Sequence, residues 1–256
     1  MGDMSTYLTF LLRLAESVED RGFTVSIFML EYSYAPEHPF PAQLEQMIAA
    51  YRYVTEEEGV SPGKIALAGD SAGGNLLLSF LTCLHSPLLP SWPKFSEPFL
   101  GLFLMSPWLG FSHSGSSFEA NADLDCLRKS SLDTWASCFR AGSSLDPATI
   151  RAYTDFEGED ENRPSMATIL TKRIAITAGG DELMVSSITS FADCAKKAGI
   201  EVSLDIAPGM VHDWQMIQSR NDEAGYLQIL RSDSAKPHLD GAVEFGRLIV
   251  ECMQAG

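Results

Sequence analysis

Two hydrophobic rhythms alternate along this chain. Tyr7, Phe10, Leu11, Leu14 and Val18 fall at helical spacing and predict an amphipathic helix that stops at Gly22. The β-branched and aromatic run from Thr24 to Leu30 predicts a strand behind it. Leu44, Met47, Ile48, Tyr51 and Val54 repeat the helical period between Pro41 and Gly59. Lys64 to Ala68 reads as a short apolar strand, Leu76 to Leu84 as an apolar helix, and Phe99 to Met105 as a strand closed by Ser106-Pro107. From 109 to 170 the pattern gives way to Ser, Asp and Glu, with one short helix predicted over Leu132–Arg140. Alternation then resumes. Arg173–Thr177 is a strand, Ile188, Phe191, Ala192 and Ala195 share a helical face, and Val202–Ile206 is a strand. Leu239, Val243, Gly246, Val250 and Met253 mark a closing helix.

Short buried strands separated by amphipathic helices predict an α/β class with a mostly parallel sheet covered on both faces. Ligands in such folds bind at the carboxyl ends of the strands. The expected organisation is one domain over residues 1–256, with 109–170 inserted into it.

Composition narrows the function classes. Hydrophobic residues make up 45% and charged residues 20%, which excludes wholesale disorder. Lys and Arg total 18 against 34 Asp and Glu, a net charge of −16 that repels nucleic acid and anionic lipid. No apolar run approaches the ~20 residues of a membrane span. The five cysteines, Cys83, Cys126, Cys138, Cys194 and Cys252, form no C-x-x-C pair, which argues against a disulfide framework or a zinc site. Reduced thiols and the lack of a basic, apolar leader at Met1–Thr6 point to a cytoplasmic protein. The acidic run Asp155–Glu161 lacks the spacing of a calcium loop and reads as a solvated face.

The chemistry concentrates in loops after predicted strands. Gly69-Asp70-Ser71-Ala72-Gly73 has the G-x-S-x-G form of a nucleophile elbow, a tight strand-to-helix turn. Glycine is expected at 69 and 73 because a Cβ at either would clash in so sharp a turn. Ser71 would then stand at a helix N-terminus, where the Ala72 N–H can steady an oxyanion. A serine hydroxyl needs a base, and the base needs an orienting acid. Among the five histidines, His38 lies in a turn, His85 and His238 lie at helix ends and His113 lies in the serine-rich middle, whereas His212 follows a strand. The strand ending at Thr177 leads into Ala178-Gly179-Gly180-Asp181-Glu182, which offers Asp181 as the acid and Glu182 as the alternate. The order Ser71, Asp181, His212 is that of α/β-hydrolases. Trp108 and Trp214 lie near strand ends and are candidate walls of an acyl pocket.

The elbow, together with Tyr34-Ala35-Pro36-Glu37-His38-Pro39-Phe40-Pro41-Ala42, resembles the hormone-sensitive-lipase-type family of α/β-hydrolases over most of the chain, least across 109–170. The resemblance implies a carboxylesterase or lipase-like enzyme acting on a small ester, without a metal or other cofactor, with 109–170 forming part of a cap. Amide hydrolysis, or a binding role on the same fold, are the alternatives. This chain reads Glu31-Tyr32-Ser33-Tyr34 where the family commonly has Asp-Tyr-Arg-Leu. The family's first strands and its His-Gly-Gly-Gly oxyanion loop have no counterpart here, so an N-terminally truncated, poorly catalytic chain is expected.

Overall fold

The computed structural model describes residues 4–94, 97–158, 164–169, 171–229 and 240–254. They form two compact units, one of Met1–Glu31 with Asp213–Gly256 and one of Tyr32–His212.

The larger unit is built on four parallel strands, β1 (Ala66–Asp70), β2 (Gly101–Met105), β3 (Arg173–Gly179) and β4 (Glu201–Ala207), in spatial order β1-β2-β3-β4. Burial follows that order. All of β2 and nearly all of β3 are buried, whereas β4 alternates between exposed and half-buried positions, as an edge strand does. Helices α1 (Met4–Glu19) and α2 (Ala42–Arg52) precede the sheet in sequence. Then come α3 (Ser71–His85), α4 (Ser117–Ala120), α5 (Lys129–Arg140), α6 (Pro147–Thr154), α7 (Met166–Ile169) and α8 (Val185–Lys197).

Helix α3 follows β1 without a linker, and every residue from Gly74 to Leu84 is buried. A helix apolar on all sides must sit inside the core. Its one buried amide is put to use: Asn75 Nδ2 donates to Trp108 O (2.7 Å) and Thr154 O (2.8 Å). That side chain ties the end of β2 to α6. Trp108, Leu109, Phe118, Leu132, Ile150 and Phe156, all in or beside the stretch with no clear period, pack into the same core as the strands. Helix α6 starts where its sequence dictates, with Pro147 in the first turn and Asp146 Oδ1 accepting from Ala148 N and Thr149 N at 3.0 Å.

The terminal unit pairs α1 with α9 (Trp214–Asn221), α10 (Glu223–Ile229) and α11 (Asp240–Gln254). Phe10 meets Phe245 at 5.9 Å. A Cβ on Gly246 would lie 2.7 Å from Ser17 Oγ, so a glycine lets α11 approach α1 closely, and Ser17 Oγ donates to Val243 O at 3.1 Å. The expected start of the last helix at Leu239, and His238 beside it, lie outside the described residues, as does part of the acidic run 155–161.

Most expected elements are present, with shifted ends. The strand expected at Thr24–Leu30 is not there: that stretch makes no ladder among the described residues, and Ile27 and Phe28 are 42% and 56% exposed. β-propensity describes a side chain's fit to a pleated surface, and without a neighbouring strand it forms no sheet. The strand expected at Lys64–Ala68 runs instead from Ala66 to Asp70, because Pro62–Lys64 form a 3₁₀ turn.

Candidate active site

Strand β1 delivers the chain directly into the elbow. Ser71, first residue of α3, has φ +48°, a left-handed conformation that costs an L residue about 1–2 kcal/mol. The close approach that forces this turn is visible at Gly69, where a Cβ would lie 2.8 Å from Gly73 C and 2.9 Å from Gly73 O. Gly73 itself differs from expectation. A Cβ there would meet only Asp70 Oδ1 at 3.8 Å, so the backbone of residue 73, not its lack of a side chain, shapes the elbow. Gly74 fits closely as well, since a Cβ would stand 3.0 Å from Pro107 Cβ.

The loop after β4 brings His212 to Ser71. Its Nε2 lies 2.9 Å from Ser71 Oγ, hydrogen-bonding distance across 141 residues of sequence, and the histidine is only 5% exposed. The loops after β3 and β4 are laced together by Gly180 N donating to Ala207 O (2.8 Å) and Asp181 N to Met210 O (2.9 Å). Gly179 makes this possible: a Cβ there would sit 2.3 Å from Met210 O and 2.5 Å from Val211 O.

The two candidate acids differ sharply. Asp181 is half-buried and contributes its backbone N–H to the lacing just described. Glu182 is fully buried at 0% exposure, and its Oε2 accepts from Ser106 Oγ (2.6 Å) and from Gly179 N (3.0 Å). A buried carboxylate with two donors on one oxygen is held rigidly, which an orienting acid requires. Ser106, at the end of β2, also has a left-handed backbone (φ +42°), which sequence reasoning had treated only as a strand end.

Trp108 adjoins Ser71 through its backbone, with its N–H donating to Ser71 O at 3.0 Å. Its indole Nε1 donates to His113 Nε2 (3.1 Å). His113 Nδ1 therefore carries the ring proton and donates to Asp133 Oδ1 on α5 (2.7 Å). That bond is the main reason the Asp133 carboxyl lies below its ordinary range. His113 and Trp108 stack at 5.7 Å. Trp214 opens α9 in the terminal unit and is described with it. In the Tyr34–Ala42 motif, His38 is exposed, its backbone N–H donating to Tyr34 O (3.0 Å) and its carbonyl accepting from Gln43 Nε2 (2.6 Å). Tyr32, just upstream, is pushed well above the usual phenol range, first by burial and then by the nearby Asp70 charge. Burial pushes the Cys83 thiol up to about 11, which makes it an inert core residue.

Sequence reasoning missed Asn121, which hydrogen-bonds to the loop after β3, Asp125, which hydrogen-bonds to both loops, and the Trp108–His113–Asp133 chain. All lie at or beyond the point where periodicity is lost, and no spacing announces them. None of the five cysteines is disulfide-bonded among the described residues. Among those residues no cluster of His, Cys, Asp or Glu could hold a metal, and no helix is long and apolar enough to cross a membrane.

Proteins similar to this chain carry the names of an acetyl-hydrolase, a carboxylesterase and a lipase. An acetyl-hydrolase of Streptomyces hygroscopicus is 29% identical over 191 residues, covering 74% of this chain and 57% of its own length. Carboxylesterase NlhH of Mycobacterium tuberculosis is 30% identical over 203 residues, 78% of this chain and 59% of its own. The chain thus spans less than two thirds of the length of these relatives. Hormone-sensitive lipase of Mus musculus is 47% identical over 125 residues, 40% of this chain and 16% of its own. A crystal structure of an esterase from the bacterial hormone-sensitive lipase family superposes with TM-score 0.72 at 25% identity, covering 99% of this chain and 73% of that one. An elbow serine on a strand-to-helix turn of a parallel sheet is a feature of the α/β-hydrolase fold. With the family's sequence pattern matched over residues 1–216, the chain belongs to the alpha/beta hydrolase fold family.

Proposed function

We propose that this chain carries the catalytic centre of a serine carboxylic-ester hydrolase. The observation that carries the reading is the 2.9 Å contact between Ser71 Oγ and His212 Nε2 at a left-handed elbow. In the proposed cycle His212 Nε2 takes the Ser71 proton as Oγ attacks the ester carbonyl. The oxyanion develops against the Ala72 N–H, one of the first-turn amides that have no acceptor within the helix. Collapse expels the alcohol, which takes the proton back from His212. Water, activated by the same imidazole, then hydrolyses the acyl-enzyme at Ser71.

Glu182 is the proposed orienting acid for His212, in preference to Asp181, because its carboxylate is buried and doubly hydrogen-bonded. Trp108 is assigned to the acyl-pocket wall, and residues 109–170 to a cap that packs on the same core. The substrate class is a small carboxylic ester, a reading supported by the carboxylesterase name of one relative and the esterase title of one similar structure.

A fluorophosphonate probe tests the reading directly. Ser71 should be labelled in the wild-type chain, and Ser71→Ala should remove the label. His212→Ala should slow labelling by about 10³-fold or more, since the serine keeps its proton. Labelling confined to another residue would refute the assignment.

A further inference from the structure

We infer that the turn carrying Asn121 and Asp125 is a positioning device for the acid–base pair, an inference that rests on the hydrolase reading. Asp125 is half-buried, and its two carboxylate oxygens serve different loops. Oδ1 accepts from His212 N at 3.0 Å, and Oδ2 accepts from Leu183 N at 2.8 Å. Asn121 Nδ2 supplies the opposite polarity, donating to Glu182 O (2.9 Å) and Gly180 O (3.2 Å). The Cys126 thiol completes the frame by donating to His212 O at 3.7 Å. One short turn therefore grips the backbone of His212 on both its N–H and C=O sides. The same turn grips the backbone on both sides of the Glu182–Leu183 peptide bond.

The chemistry of this grip is specific. A carboxylate only accepts, so it can face two N–H groups from separate loops at once. An asparagine at 125 would turn an NH₂ toward one of them, setting donor against donor. The loops would remain joined through Gly180 N and Asp181 N, and the core would remain packed. What would be lost is the fixed offset between the Glu182 carboxylate and the His212 ring. Offsets of about 1 Å in such constellations cost on the order of 10² in rate. Asp125 and Asn121 touch neither substrate nor the reacting atoms, so they are positioning residues.

The test uses the full chain with a fluorophosphonate probe and p-nitrophenyl butyrate. Asp125→Asn should slow Ser71 labelling and lower kcat by about 10- to 100-fold, while KM stays within about twofold. Asp123→Asn removes the same charge from an exposed position on the same turn and should leave both rates unchanged. Equal losses in the two variants, or wild-type labelling in Asp125→Asn, would overturn the inference. If Asp125→Asn melts well below the wild type, Asn121→Ala decides the matter. It leaves the His212 N–H satisfied and must still slow labelling severalfold with KM unchanged; an unchanged rate refutes the proposal. A wild-type chain unlabelled at Ser71 would overturn the hydrolase reading, and this inference with it.

Discussion

Replacing Gly179 with alanine should damage this site far more than the same change one residue later. Neither glycine has a left-handed backbone, so the comparison is purely steric. At 179 the new Cβ would lie 2.3 Å from Met210 O, 2.5 Å from Val211 O and 2.7 Å from Met210 C, all of them backbone atoms. Ordinary contact begins near 3.4 Å, so the peptide between 210 and 211 must retreat by about 1 Å. His212 is the next residue along, and its 2.9 Å contact with Ser71 would open accordingly. A displacement of that size is expected to cost about 10² in kcat/KM, or roughly 2.7 kcal/mol of transition-state stabilisation. The same retreat strains the bonds from Asp181 N to Met210 O and from His212 N to Asp125, adding about 1–3 kcal/mol of instability. At 180 the nearest atoms would be Ala207 O at 3.3 Å and Pro208 Cα at 3.4 Å, which need yield only slightly. Gly180→Ala should therefore stay within about threefold of wild type. The assay is kcat/KM on p-nitrophenyl butyrate beside the fluorophosphonate labelling rate and a thermal melt. Equal behaviour of the two alanine variants would refute the reasoning, because the steric difference between them would then carry no consequence.

Further predictions concern the acid, the core and the edge of the fold. Glu182→Gln should lower kcat by about 10³–10⁴ while Asp181→Asn changes it less than about fivefold, and the reverse ranking in steady-state kinetics returns the acid to Asp181. Asn75→Ala leaves Trp108 O and Thr154 O without their donor and should cost about 2–5 kcal/mol, read as a lower urea midpoint with the same slope. Asp146 caps α6, and its carboxyl is held below the usual range, first by the Thr149 hydroxyl and next by the Thr149 N–H. A carboxyl depressed in the folded state contributes stability above its unfolded pKa and loses it as pH falls through the lowered value. The gap in melting temperature between wild type and Asp146→Ala should therefore be widest at neutral pH and close in acid.

Much of this was legible from the chain alone because buried strands and helices must carry their own hydrophobic period. β2, β3, α3 and α8 are all signalled that way, and the elbow declares itself because few residue types tolerate its backbone. What the sequence left unread or undecided has physical causes. Thr24–Leu30 has strand composition, but a strand is a relation between two segments, and the second cannot be read from the first. Glycine at 73 was credited with a steric need that belongs to Gly69. Asp181 and Glu182 are adjacent, and only burial separates them: one is half-exposed, while the other lies at 0% beneath Ser106. Asp125 was invisible because a hydrogen bond between a loop carboxylate and a distant backbone N–H imposes no period on the sequence.

The left-handed serine has an implication for anyone engineering this chain. Glycine is the one residue that occupies φ +48° without a Cβ penalty. Ser71→Gly would relieve about 1–2 kcal/mol and give back about 0.5–1 through the freer unfolded chain, a net gain of up to about 1.5 kcal/mol. Heat resistance and soluble yield thus pull against the proposed chemistry at this position. A directed-evolution campaign scored only on survival after heating would enrich the silent variant, and its best clones would be its dead ones. Any stabilisation effort here must score turnover in the same round.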